Sequence, residues 1–337
     1  MLKRLLPALC LCAAMAPAWS QSDPAPAPAQ PEPDVAELQT VQVTGQRPGP
    51  GLWKVSQGDH VLWIFGTYGP LPQKMEWRSQ QVESILAQSQ EYLGLPGFSI
   101  GVGFFRGLTL LPFLPGLEKN PDGAHLKDVL PADTYAHWLA LKEKYIGADD
   151  DIERKRPFFA ADVLFRKGLA HAGLSKGNDV EKTIDKIAKQ HKVKFTSTVL
   201  SMEIDDPVKT VRNFKKSPME DAACFAKTVE RLESDIDAAR ARAAAWAIGD
   251  MDVIRKVNFG DREQACKDAI LGAGGMRDQA ALKDVEQRQR THWLGAVDKA
   301  LAANTTTFAL LSMRELMNPK GLLADLQAKG YTVQAPE

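Results

Sequence analysis

The chain has 337 residues, with 42 Lys and Arg against 42 Asp and Glu and a sequence pI near 7.0. A neutral chain carries no surplus positive charge to displace counterions from phosphates, which argues against a nucleic-acid binder and against a polybasic membrane-surface protein. Hydrophobic residues at 44% and charged residues at 25% are ordinary for a globular fold, and after Ala18 no apolar run approaches the roughly 18–20 residues of a membrane-spanning helix.

The first segment is not fold. Lys3 and Arg4 precede an apolar run from Leu5 to Ala16, and Ala18-Trp-Ser20 supplies small residues before Gln21. This is the pattern of a cleavable secretory signal peptide over residues 1–20, cut after Ser20, and it predicts a periplasmic or otherwise secreted protein. Removing Lys3 and Arg4 leaves 40 basic against 42 acidic residues, a formal charge of −2. Of the four cysteines, Cys10 and Cys12 leave with the signal. Cys224 and Cys266 then remain in an oxidising compartment, where a pair is expected to form a disulfide; a reactive thiol is the alternative.

Residues 21–50 hold seven of the 21 prolines and read as a semi-extended linker. Within it residues 40–45 alternate like an edge strand. The folded domain is expected over residues 51–337. Leu52-Trp-Lys-Val-Ser56 and His60-Val-Leu-Trp-Ile-Phe65, joined by Gln57-Gly-Asp59, predict a β-hairpin. A helix is expected over 77–88 and a strand over 91–95. Residues 98–117 interleave phenylalanine, leucine and isoleucine with glycine and proline. They read as a buried irregular segment, with a lid or a surface meeting lipid or a partner as the alternative.

Helical periodicity is expected over 133–145, 157–171 and 179–191, with a strand at 193–199. Ser217-Pro-Met-Glu220 is a capping box with proline at the first helical position. The stripe that follows, Phe225, Val229, Leu232, Ile236, Ala239, Ala243 and Trp246, predicts one helix packed internally and stopped at Gly249. A strand at 307–311, a helix at 319–329 and a strand at 331–334 close the chain. Strands at both ends of a helical middle predict an α/β or α+β fold with a central sheet.

Unaided motifs give little chemistry. The six histidines show no i,i+4 pair and no His-Glu-x-x-His. Gly173-Leu-Ser-Lys-Gly177 has the spacing of a nucleophile elbow, but the flanking sequence is helical on both sides, which places Ser175 in a helix–helix loop. Ile100-Gly-Val-Gly-Phe-Phe-Arg-Gly107 has Arg106 where a dinucleotide fingerprint needs its third glycine.

Leu52-Trp-Lys-Val55, Ile64-Phe-Gly-Thr67 with Trp77-Arg-Ser79, Asn120-Pro-Asp-Gly123 to Tyr145-Ile-Gly147, and Phe308 through Gly330-Tyr-Thr-Val333 together resemble the TraB/GumN family, distant relatives of the Tiki metalloproteases. The resemblance spans about residues 51–335. It implies a sheet built from two related halves, each giving a Gly-x-x-His motif at a strand end. With an early glutamate and an Arg-Asn pair on a late helix, the two histidines would bind a divalent transition metal for hydrolysis. This chain departs from that set. The first motif reads Gly66-Thr-Tyr-Gly69. The second reads Ser312-Met-Arg-Glu315. The early glutamate falls at or near Leu95, and the Arg-Asn position reads Gln289-Arg290. Gly66, Thr67, Gly69 and Ser312 therefore mark an ancestral cleft. Glu315 is the one candidate metal ligand and catalytic group, with Arg290 beside it and Glu91 or His292 as partners in a rebuilt site.

The expectation is a periplasmic pseudoenzyme that needs no cofactor and binds a peptide, a polypeptide or an envelope protein, without nucleic acid and without a transmembrane helix after signal cleavage. The alternative is a metal-dependent hydrolase or peptidase rebuilt around Gly66–Gly69 and Glu315.

Overall fold

The computed structural model describes residues 49–336 apart from 103, 205, 218, 219, 235, 258, 260, 261 and 279. The signal peptide, nearly all of the linker, the 40–45 stretch and the middle of the 217–220 capping box lie outside the described residues.

In chain order the strands are β1 Leu52–Gln57, β2 His60–Thr67, β3 Leu71–Pro72, β4 Glu91–Leu93, β5 Gly97–Gly101, β6 Leu174–Ser175, β7 Lys194–Thr196, β8 Val199–Glu203, β9 Thr306–Ser312 and β10 Thr332–Gln334. Six of them form one mixed sheet in the order β10-β1-β2-β9-β4-β7. The β10–β1 and β1–β2 pairings are antiparallel, whereas β2–β9, β9–β4 and β4–β7 are parallel. The expected hairpin turns at Gly58, whose φ of +61° suits a residue without Cβ. Strand β9 is buried from Thr307 to Leu311 without alternation, because parallel strands at the centre of a sheet are covered on both faces.

The main core lies on this sheet. Trp53, Ile64, Phe65, Tyr92, Phe308 and Leu310 from the strands pack with Val82, Ile184, Trp246, Trp293 and Leu326 from the helices. A second core is helical and gathers Leu126, Trp138, Leu164, Phe165, Phe225 and Leu232. The apolar stripe predicted between Phe225 and Trp246 is indeed internal, and it serves both cores. Phe225, Val229, Leu232 and Ala239 belong to the helical core, and Ala243 and Trp246 to the sheet core. It is carried by two helices, Ala222–Ser234 and Ile236–Ala247, and ends at Gly249 with φ +74°.

Several expectations shift. The first helix spans Gln80–Gln88, because Trp77 is used as a core anchor against Phe65 and Trp246, with ring centroids 5.5 and 6.1 Å away. The 193–199 strand divides into β7 in the main sheet and β8, which pairs with β5 in a separate parallel ribbon. Residues 98–117 are neither irregular nor wholly buried. They form β5, the helix Phe104–Leu110 and a 3-10 turn Leu111–Phe113, and Leu108, Leu111 and Leu114 face solvent. The 319–329 helix begins only at Leu322, for a reason given below. Among the described residues no helix is long and apolar enough to cross a membrane.

Candidate functional site at the carboxyl edge of the sheet

Strands β2 and β9 run parallel and end together. Gly66 pairs with Leu311 and Thr67 with Ser312. The carboxyl edge of parallel strands is where loops converge and clefts form in α/β sheets. Here Thr67 Oγ1 donates to the Leu311 carbonyl at 3.3 Å, and the buried Trp246 Nε1 donates to the Gly66 carbonyl at 2.8 Å. A Cβ on Gly66 would lie 2.6 Å from Met313 Cε, so the side-chain ends of the short helix Met313–Leu316 pack directly on this strand position. Ser312 caps that helix, its hydroxyl accepting from the Glu315 amide at 3.2 Å. Thr67, Gly69 and Ser312 then rim one cleft of about 280 Å³, with Tyr68, Arg231, Phe259, Glu263, Met313 and Arg314.

Position 69 is closed to any side chain. A Cβ on Gly69 would stand 2.5 Å from the Lys176 carbonyl oxygen. That oxygen is held there by a two-strand ribbon in which Leu71 pairs with Ser175 and Pro72 with Leu174. Ser175 lies, as expected, in the connection between the helices Pro157–His171 and Asn178–Gln190, and there it forms part of the two-residue strand β6, with its hydroxyl 3.4 Å from the Leu71 carbonyl. The flanking Gly173 and Gly177 have φ of +69° and +91°, so the Gly-x-Ser-x-Gly spacing is that of two turns around a strap.

Glu315 does not face this cleft. It lines a separate polar cleft of about 340 Å³ with Pro96, Gln264, Lys267, Glu286, Arg290 and Asn318. Its Oε1 accepts the Leu322 amide at 2.7 Å, satisfying an orphan donor at the start of the helix Leu322–Ala328 and fixing where that helix begins. Arg290 pairs through Nε with Asp325, and its Nη2 donates to the Lys320 and Gly321 carbonyls at 2.8 and 3.1 Å. The hydrogen bond to Asp325 holds the guanidinium protonated beyond its ordinary range against partial burial, and the Asp325 and Glu315 charges add to it. Both candidate residues thus shape one turn.

Glu91 sits at the other end of the sheet. It pairs with Thr307, five residues before Ser312, which at a rise of about 3.3 Å per residue is roughly 16 Å away. Its carboxylate accepts from Thr196 Oγ1, from Asn304 Nδ2 at 2.9 Å and from Lys194 Nζ at 3.0 Å. Burial alone would raise its pKa, but these three hydrogen bonds and the Lys194 charge bring it below the usual carboxylate value. Glu91 is therefore no partner for Glu315. His292 is exposed on the helix Val285–Ala303, and Leu95 packs partly against the sheet core.

The cleft's own polar residues were not found from the sequence. Glu263 Oε2 accepts from Arg314 Nη2 at 2.6 Å and lies 3.9 Å from Arg231 Nη1, and Arg262 Nη1 is 3.8 Å from Glu263 Oε1. Arg262 also donates to Thr228 Oγ1 at 2.9 Å and stacks on Phe165 at 3.8 Å. Burial, together with the nearby Arg231 charge, lowers the Arg262 pKa against the pull of Glu263 and Asp162. These residues lie on three elements far apart in sequence, so no spacing could announce them. One signal was available. Cys224 and Cys266 are joined, Sγ–Sγ 1.94 Å, and link the helices Ala222–Ser234 and Arg262–Gly272. Arg231 lies two turns from Cys224, and Glu263 one turn from Cys266, on the same helix faces.

The donor set does not fit the transition metal that the motif resemblance implies. Gly69 and Glu315 stand where the two histidines are implied and bring no imidazole, Glu315 is engaged with a helix terminus, and Glu91 is a sheet length away. Among the described residues no three His, Cys, Asp or Glu side chains are grouped to hold a metal ion.

A model of the TraB/PrgY/gumN family matches residues 51–335, and the chain belongs to that family. No curated protein and no solved structure matches it.

Proposed function

We propose that this TraB/PrgY/gumN member is an exported, periplasmic binding protein that works without metal-dependent hydrolysis. Its signal peptide would span residues 1–20 and its linker 21–50, ahead of one domain over 51–337. Its ligand is a peptide, a polypeptide or an envelope protein, taken in the cleft at the carboxyl edge of the sheet. The carrying observation is Gly69. Where the family motif needs a side chain, the Lys176 carbonyl oxygen occupies the space a Cβ would need. The cleft that remains has the makings of a peptide subsite. Tyr68 and Phe259 meet edge to face at 6.2 Å and give it an aromatic wall. Arg231, Glu263 and Arg314 give it charged groups of both signs, and a peptide presents carbonyls, amides and carboxylates to such groups.

The test starts from the mature chain, residues 21–337 without a histidine tag, exposed to Mn, Co, Zn and Fe. Elemental mass spectrometry is expected to find no stoichiometric metal, and a peptide library no hydrolysis. Near-stoichiometric metal that disappears in Glu315→Ala would overturn the proposal in favour of a rebuilt hydrolase. The same library, read by fluorescence polarisation, is expected to yield peptides whose binding weakens in Arg314→Ala while Ser175→Ala leaves it unchanged.

A further inference from the structure

The segment expected to be buried instead presents leucines to water. Leu108, Leu111 and Leu114 are spaced three apart across the end of helix Phe104–Leu110 and the turn after it, and they are 53%, 58% and 41% exposed. Three large exposed aliphatic side chains within seven residues of one short tip are more apolar surface than a water-facing position explains.

What lies beside them is basic. The helix Pro207–Lys216 packs against this tip and carries Lys209, Arg212, Lys215 and Lys216 with no acidic residue. The Arg212 guanidinium lies 4.5 Å above the Phe113 ring, and Lys215 Nζ donates to the Pro115 carbonyl at 2.8 Å. Residues 98–117 contain no Asp or Glu. Among the described residues bordering them, Asp206 accepts the Lys209 amide at 2.9 Å as the helix cap, Glu118 pairs with Lys155, and Glu203 stands opposite Gly101 on β8. The tip is also held rigidly. Arg156, 1% exposed, donates to the carbonyls of Lys119, Phe214, Lys215 and Ser217, tying the end of the basic helix to the strand of chain that leaves the tip.

We infer that the tip around Leu108, Leu111 and Leu114, with the helix Pro207–Lys216 behind it, is a docking surface for an anionic lipid bilayer. Leucines that enter the acyl boundary, flanked by cations at headgroup level, are the arrangement of interfacial anchors. Charge complementarity selects this occupant: an apolar protein partner has no need of four cations on a tip and a helix that themselves carry no acid. The neutral balance of the whole chain had argued against membrane attraction, but net charge is silent on segregation, and here the cations are gathered at one place. The inference is independent of the cleft and of what the cleft binds.

Flotation of the mature chain with vesicles of phosphatidylglycerol and phosphatidylethanolamine tests it, beside vesicles of phosphatidylcholine alone. Binding is expected on the anionic vesicles only, and is expected to fall steeply with salt as the Debye length shrinks. Lys209→Glu, Arg212→Glu and Lys216→Glu should each lower partitioning by about five-fold or more. The combined Leu108→Ser, Leu111→Ser and Leu114→Ser variant, its fold checked by circular dichroism, should not float. No binding at lipid excess, equal binding to neutral vesicles, or binding unchanged in these variants would overturn it. So would a dimer, seen by light scattering, that the leucine variant dissociates, since a second copy would then cover the tip.

Discussion

Gly69→Ala isolates the steric argument on which the proposed function rests. The backbone at Gly69 is not in the left-handed region, so alanine meets no conformational penalty and space alone decides. The added methyl would stand 2.5 Å from the Lys176 carbonyl oxygen, where ordinary contact begins at 3.4 Å, an overlap of about 0.9 Å. Neither side is a flexible side-chain end. The carbonyl belongs to the strap paired with Leu71 and Pro72 and further held by the Gln73 amide on the Gly173 carbonyl at 3.2 Å. The next residue, Gly177, is itself tight, its own Cβ position falling 2.7 Å from the Tyr68 carbonyl. Relief requires two backbone segments to part, which for overpacked sites costs about 1–3 kcal/mol. Urea denaturation should show a lower midpoint with unchanged slope, and Gly69→His should be at least as destabilised and gain no metal. A Gly69→Ala protein within about 0.5 kcal/mol of wild type would refute the reasoning, because the strap would then yield freely and position 69 would be open to a ligand.

Replacing Cys224 and Cys266 together by serine removes a cross-link over a sequence separation of 42, worth about 4 kcal/mol in the loop-entropy model; urea midpoints of the oxidised wild type and the variant measure it. Asp221 is pushed up to about 6 by burial, against the Phe158 and Asp221 amides and the Arg156 charge that pull it down. Its folded pKa lies above its unfolded one, so its contribution is fully present below about pH 4 and is lost as pH rises through about 6, on the order of 3 kcal/mol. Stability measured from pH 4 to pH 7 should fall less steeply in Asp221→Asn, and an unchanged slope would discard the assignment. Glu315→Ala should cost about 1 kcal/mol by exposing the Leu322 amide, and Glu315→Gln, which keeps an acceptor, should cost less; equal stability of all three proteins would remove the capping role.

What the sequence disclosed was local or repetitive. The hairpin at Gln57-Gly-Asp59, the periodic helix Pro157–His171 and the stripe from Phe225 to Trp246 each carry their signal within a few turns, and each is present. What it hid depends on distant segments. Ser175 is a strand residue only because Leu71, 104 residues earlier, lies beside it. The leucines of 98–117 read as core because apolar composition predicts burial, yet exposure is decided by which neighbours arrive, and here the neighbour is a basic helix on one side only. The candidate site divided in the same way. The family resemblance put motif positions Gly66, Thr67, Gly69 and Ser312 near strand ends; Gly66, Thr67 and Ser312 lie on the adjacent strands β2 and β9, and Gly69 in the loop just beyond β2. Glu315 follows them in sequence, but a single helical turn, Met313–Leu316, carries its side chain round to the other cleft.

On the proposed reading, the motif positions serve the fold rather than chemistry. Catalytic groups are held in arrangements that cost stability, and replacing them often stabilises the protein at the expense of activity. Here the relation is reversed. Ser312 caps the helix Met313–Leu316, Glu315 starts the helix Leu322–Ala328, Arg290 pins the turn before it through Asp325 and two carbonyls, and Gly69 admits the strap. A carboxylate that leaves the Leu322 amide to bind a metal would strand a helix terminus, and a side chain at 69 would expel the strap. Binding at the cleft asks for none of this, because Tyr68, Arg231, Phe259 and Arg314 reach it from elements these contacts hold in place. On the proposed reading, the motif positions brace the turns and strand ends around the cleft, and the residues between them meet the ligand.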